Sequence, residues 1–163
     1  MIPVATQGFR LRAVLGVAAT VLLAACGGPR AGGPAPVSPE AAIRSFLNAV
    51  KANSLAGMGA TWGSSRGPAS SYMDQAELEQ RLTVIRAFLE HEKFEILGSQ
   101  AGVAPGADQK RVVQVRLTRK GCEPVVPFTV IPYGGGWLVS DIDLSAAGNP
   151  QRPCPPGSGK PGT

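Results

Sequence analysis

The hydrophobic period of this chain changes once, near residue 93, and that change limits the folds open to it. Upstream, Ile43, Phe46, Leu47 and Val50 recur at i, i+3, i+4 and i+7. Leu55, Met58 and Trp62 continue the spacing, and Leu78, Leu82, Ile85 and Leu89 repeat it, with Val84 and Phe88 widening the stripe. This is the repeat of helices that carry one apolar face. Downstream the period is two: Val113, Val115 and Leu117 oppose Gln114 and Arg116, and residues 94–97, 111–118, 125–131 and 137–144 read as strands. Helices followed by strands predict an α+β domain, with three N-terminal helices packed on a four-stranded antiparallel sheet.

Local punctuation sets the boundaries. Ser38 offers a capping hydroxyl and Pro39 a ring whose missing N–H is harmless in a first turn. Asn53-Ser54 interrupts the helical pattern, and the second helix is expected to end near Gly63. Asp74 with Glu77 reads as a capping box for the third helix, whose end, Glu90-His91-Glu92-Lys93, is expected to be solvated. Between the second and third helices, GSSRGPASSYM shows no clear strand pair. Lys120-Gly121 and Tyr133-Gly-Gly-Gly136 fall where a meander needs turns, and Pro127 is expected at a bulge or a sheet edge.

A different grammar governs the first residues. Arg10 and Arg12 precede the uncharged stretch AVLGVAATVLLAA at 13–25. At that length it falls short of the ~20 residues that span a bilayer and fits the apolar region of a secretory signal. Its end, Leu23-Ala24-Ala25-Cys26, resembles the lipobox of bacterial lipoproteins. The resemblance implies a signal peptide over 1–25, cleaved so that a lipid-modified Cys26 becomes the mature N-terminus. More than one acyl chain anchors firmly, since each buried methylene contributes about 0.8 kcal/mol. Residues 26–37 then form the lipidated cysteine and a flexible Gly/Pro linker, with a reach of roughly 20 Å as a coil. Gly27 stands where an aspartate would signal inner-membrane retention, so the resemblance favours the outer membrane, on its periplasmic or surface face.

With Cys26 assigned to lipid, the other two of the three cysteines, Cys122 and Cys154, remain as a pair. In an oxidising compartment an even remainder reads as one disulfide, with two free thiols as the other reading. The domain boundaries follow: an α+β domain over 38–145, then a Pro/Gly-rich tail over 146–163, partly tied by that disulfide. The chain has 21 Gly and 15 Pro, many of them in the linker and tail.

AAIRSFLNAVKANSLAGMGATWG in the first helices and GGWLVSDIDL in the last strand resemble the nuclear transport factor 2-like superfamily, and more closely bacterial envelope lipoproteins with such a domain. The resemblance covers roughly residues 38–145. It implies a curved, cone-like sheet, an apolar pocket beneath the helices, and a homodimer formed through the sheets. It also places Trp62, Arg66 and Tyr72 at the pocket mouth, where Arg66 could meet an acidic ligand; the plain alternative for Trp62 is core packing.

Catalytic constellations are weak. Gly63-Ser64-Ser65-Arg66-Gly67 matches G-x-S-x-G, with His91 and Asp74 as nominal partners for Ser65, but a helix precedes it and Pro68 follows, unlike a nucleophile elbow. Tyr72, His91, Asp141 and Asp143 are the groups a pocket enzyme could use. Asp141 and Asp143 share strand parity with Trp137 and Val139, and Leu138, Ile142 and Leu144 share the other, so one face or the other should meet the helices. Ile142 and Leu144 favour the second, leaving both carboxylates in water.

A single His and no repeated ligand spacing argue against structural zinc, and no cofactor is expected. The end GSGKPGT lacks the spacing of a phosphate loop. Without the leader arginines, 14 basic residues face 11 acidic ones, too mild an excess to point to nucleic acid. The sequence therefore reads as a non-catalytic, lipid-anchored binding or protein-interaction module of the bacterial cell envelope. Its partners are the membrane and either a small apolar or acidic ligand or an envelope protein. The alternatives are an isomerase- or dehydratase-like pocket enzyme and an envelope scaffold.

Overall fold

The computed structural model describes residues 35–101 and 109–152. The leader, the lipobox cysteine Cys26, the linker up to residue 34 and Cys154 lie outside the described residues.

Helix α1 (Pro39–Lys51) starts where the sequence places it: the Ser38 hydroxyl accepts from the Ala41 N–H at 3.1 Å. It buries Ala42, Ile43, Phe46, Leu47, Ala49 and Val50. Asn53, with a positive φ of 56°, turns the chain into α2 (Leu55–Thr61), capped by the Ser54 hydroxyl. Asp74 caps α3 (Gln75–Leu89) through the N–H groups of Ala76 and Glu77. The reciprocal half of the expected box is missing, because the Glu77 carboxylate pairs with Arg81 one turn on.

The sheet is a four-stranded antiparallel meander, β3 (Lys93–Ala101), β4 (Arg111–Thr118), β5 (Val125–Tyr133) and β6 (Gly136–Ile142), paired in that order. The β4–β5 and β5–β6 turns each use two residues at positive φ, Lys120-Gly121 and Gly134-Gly135. That backbone matches the twist of paired strands. Val113, Val115, Leu117, Val126, Phe128 and Val130 are fully buried on the face that meets the helices. There the Phe46 and Phe128 rings meet edge to face at 6.4 Å. The α+β architecture, three main helices against a four-stranded antiparallel sheet, is therefore as the sequence reading has it.

Several finer expectations fail, each for a physical reason. A short strand pair does lie between α2 and α3: β1 (Gly63–Ser64) and β2 (Gly67–Pro68), antiparallel around a two-residue turn, followed by a 3-10 turn at Ala69–Ser71. It is a two-stranded sheet of its own, and just before it Trp62 makes an isolated parallel bridge to Val139 of β6. Pro127 sits in a paired central strand, opposite Gln114, rather than at an edge or bulge. It is tolerated because its backbone faces β6 where that strand ends: its carbonyl accepts from the Asp143 N–H at 3.0 Å, and its absent N–H falls where the partner chain turns away.

The last strand stops at Ile142, and Asp143 caps a short helix α4 (Leu144–Ala147) that the sequence reading did not anticipate. Ala147 is buried, so packing continues past residue 145. The run at 90–93 is not a solvated helix end either: α3 stops at Leu89, the Glu92 N–H donates to Thr118 O, and Lys93 opens β3.

The edge of β6 carries one more contact. The Trp137 N–H donates to Pro36 O at 2.8 Å. A methyl group on Gly136 would lie 2.5 Å from Ala35 Cβ and 2.7 Å from Pro36 O. The chain entering α1 is thus laid against β6 at a point only glycine permits. Among the described residues no helix is long and apolar enough to cross a membrane.

Candidate functional site

Apolar side chains crowd between the helices and the sheet. Ile43, Phe46, Leu47, Met58, Val113, Val115, Leu117, Val126 and Phe128 are all fully buried there. Trp62 is drawn into the packing, half-buried against that core and bridged to β6. Tyr72 also packs on that core, and Arg66 meets its ring: the guanidinium carbon lies 4.1 Å from the Tyr72 ring centroid. Arg66 sits at the β1–β2 turn, exposed, and a cation stacked this way keeps its N–H edge available to an acidic group. Of the three residues expected at a pocket mouth, the structure therefore leaves Arg66 exposed and packs both Trp62 and Tyr72, half-buried, against the core.

The other nominal groups do not converge. Asp74 and His91 flank opposite ends of the 15-residue helix α3, about 22 Å apart at 1.5 Å per residue, so Asp74 cannot orient His91 as a base for Ser65. Asp141 is exposed. Asp143 is spent on capping, and bonds from the Ser145 hydroxyl and the Ala146 N–H hold its carboxyl below the usual range. Among the described residues no three His, Cys, Asp or Glu side chains gather as a metal site.

A concavity lies elsewhere. A cleft of about 920 Å³ opens between the end of α3, the β4–β5 turn and the chain around and after α4, lined by residues 90–92, Arg119, Lys120, Cys122, Pro124 and 145–152. Sequence reasoning missed it because its walls come from three separate loops. Arg119 organises the cleft. Its guanidinium donates to Phe88 O at 2.6 Å, to Ala147 O, and to Gly148 O at 3.4 Å, so one side chain binds the carbonyl ends of α3 and α4 together. Desolvation pushes its pKa down from the ordinary value, partly offset by nearby Glu90, as expected for a cation committed to buried carbonyls. Lys51 Nζ donates to Glu92 O at 3.0 Å, which fixes the chain behind the cleft to α1.

His91 is the one buried charged or polar residue in the described core, 8% exposed. Its Nδ1 lies 2.7 Å from Leu89 O, which can only accept, so the proton is on Nδ1. Nε2 is left buried with no hydrogen-bond partner among the described residues, and the ring packs edge-on to Phe94. Burial, and secondarily Lys51, lower its pKa below 6.5, while the Leu89 bond opposes them. A base whose folded pKa is depressed contributes stability above its unfolded pKa and loses it as pH falls through the folded value. The urea midpoint should therefore drop between pH 7 and pH 5, and His91→Gln should flatten that slope. Equal slopes in the two proteins would refute the assignment.

Set against known protein families, curated proteins and solved structures, the chain matches none of them.

Proposed function

We propose that this chain is a lipid-anchored binding or protein-interaction module of the bacterial cell envelope, on the periplasmic or surface face, with the outer membrane favoured. The lipobox-like Leu23-Ala24-Ala25-Cys26 supports the anchor. The observation that carries the binding reading is the Arg66–Tyr72 stack, an exposed guanidinium held over an aromatic face beside the core of Phe46, Phe128 and their neighbours. A second recognition surface is the cleft beside Arg119. Arg66 suits a small acidic ligand or an acidic side chain of an envelope protein.

The order of elements, with a strand pair between α2 and α3 as well as the meander, also supports a cone-like domain of the nuclear transport factor 2-like kind. Cys122 and Cys154 form its disulfide in this reading.

Expression of the full chain in a Gram-negative host tests the anchor. The wild-type protein should sediment with membranes and enter the detergent phase, whereas Cys26→Ser should release the folded domain to the soluble fraction. Identical partitioning of the two would refute the lipid anchor.

A further inference from the structure

We infer that His91 is an acid-sensitive catch on the cleft beside Arg119: once its imidazole takes up a second proton, the wall formed by residues 90–92 leaves its seat while the α4 wall stays in place. Geometry is the first reason. His91 lines the cleft and is 8% exposed, yet its Nε2 has no hydrogen-bond partner among the described residues. Nδ1 already donates to Leu89 O, so a second proton lands on Nε2, where no acceptor receives it. A cation buried in that way, packed edge-on to Phe94, costs far more than a neutral ring in the same place.

The charges around the ring do not offset that cost. Lys51, at the end of α1, faces it with a like charge, and Arg119, Lys120 and Arg152 are the cations of the cleft lining. Glu90 and Glu92 are the carboxylates of that lining. Glu92 Oε1 accepts from the Lys120 N–H at 3.2 Å, Glu90 lies close enough to Arg119 to favour that cation, and neither bonds to Nε2. Burial lowers the imidazole's pKa, the Leu89 bond partly restores it, and Lys51 lowers it again.

What the ring secures is the second reason. Three bonds hold the segment beside it: the Glu92 N–H to Thr118 O at 2.8 Å, Lys51 Nζ to Glu92 O at 3.0 Å, and the Lys120 N–H to Glu92 Oε1. The last two are exposed, so water replaces them at little cost when the imidazolium moves out. The opposite wall has no such trigger. Arg119 binds carbonyls, which do not titrate, and bonds from Ser145 and Ala146 hold the Asp143 carboxyl below its usual range, so the cap of α4 stays ionised at about pH 5. Control of recognition by this opening rests on the reading of the cleft as a binding surface. The opening itself does not, and it is measured without a ligand, so the two can fail separately.

The measurement uses the full chain, purified without a histidine tag, in which His91 is the one imidazole. A ring that is neutral when seated and ordinary when released raises the opening equilibrium by at most about 30-fold between pH 7.5 and pH 5. Amide exchange at Glu92 and Lys120, corrected for its intrinsic pH dependence, should therefore rise by about tenfold over that range, while Ala146 and the α1 amides keep their protection. His91→Asn, whose amide replaces the Nδ1 donor but takes up no proton, should lose the response. Should that variant not fold, the wild-type imidazole resonance decides: it should titrate below about pH 6.5. An ordinary midpoint, with Glu92 and Lys120 still protected at pH 5, would show the charged ring tolerated in its seat and overturn the proposal. No rise in the wild type, an equal rise in the variant, or a rise shared equally by α1 would overturn it too.

Discussion

Replacing Phe128 with alanine should lower the stability of this domain by about 3–5 kcal/mol, the range for truncating a large aromatic in a packed core. Phe128 is fully buried in a central strand, paired with Val113 on one side and Ile142 on the other, and its ring meets Phe46 edge to face. No neighbour is free to fill the void, because the surrounding valines are stiff at χ1 and fixed on paired strands. Domains of this size hold only about 5–15 kcal/mol in total. The urea midpoint should therefore fall by at least about 1 M, given m of about 1–3 kcal/mol/M. Val84→Ala is the control: Val84 is 54% exposed on α3 and should change stability by less than about 0.5 kcal/mol. Equal effects at the two positions would mean that the helices do not pack on this face of the sheet.

Arg119→Met is the second large effect, and it should be local before it is global. The methionine keeps much of the side chain's apolar stem but abandons Phe88 O, Ala147 O and Gly148 O. Because the guanidinium is only partly buried, water can replace some of the lost bonds, so the cost is about 1–3 kcal/mol. A helix of four residues cannot stand on its own hydrogen bonds, so α4 should open first. Amides at 145–148 should exchange much faster while those of α1 keep their protection. Arg119→Lys should not rescue them, since a single ammonium cannot bind the ends of two helices as a planar fork does. Unchanged exchange at α4 would show that Arg119 does not hold it.

These residues also show how far the sequence could be read. The helical stripes and the alternation in β4 were plain because each states its own burial: Ile43, Phe46, Leu47 and Val113, Val115, Leu117 are all fully buried. Strict alternation failed in β6. It offered a choice between a Trp137–Val139 face and an Ile142–Leu144 face, yet both pack on the core. Thr129 pairs with Asp141 and Val130 with Val139, so Ser140 is an extra residue that reverses parity midway. Both carboxylates still end in solvent, as expected, but by a bulge that no local pattern announces.

His91 was hidden by its charged neighbours, since only the return of β3 onto Thr118 encloses it. The cap of α4 was the one missed feature with a legible signal: Asp143 before a short small-residue run, then Gly148 at positive φ. The cleft had no such signal, because Arg119 acts on carbonyls 31 and 28 residues away.

The contact between Pro36 and Trp137 fixes a polarity for the whole particle. Trp137 pairs with Pro132 near one end of β5, and Pro124, on the cleft wall, precedes the other end. Eight residues of extended chain separate them, about 26 Å at 3.3 Å per residue. If Cys26 carries lipid, as proposed, its tether joins the folded domain beside Trp137, and the Arg119 end is the one farther from that junction.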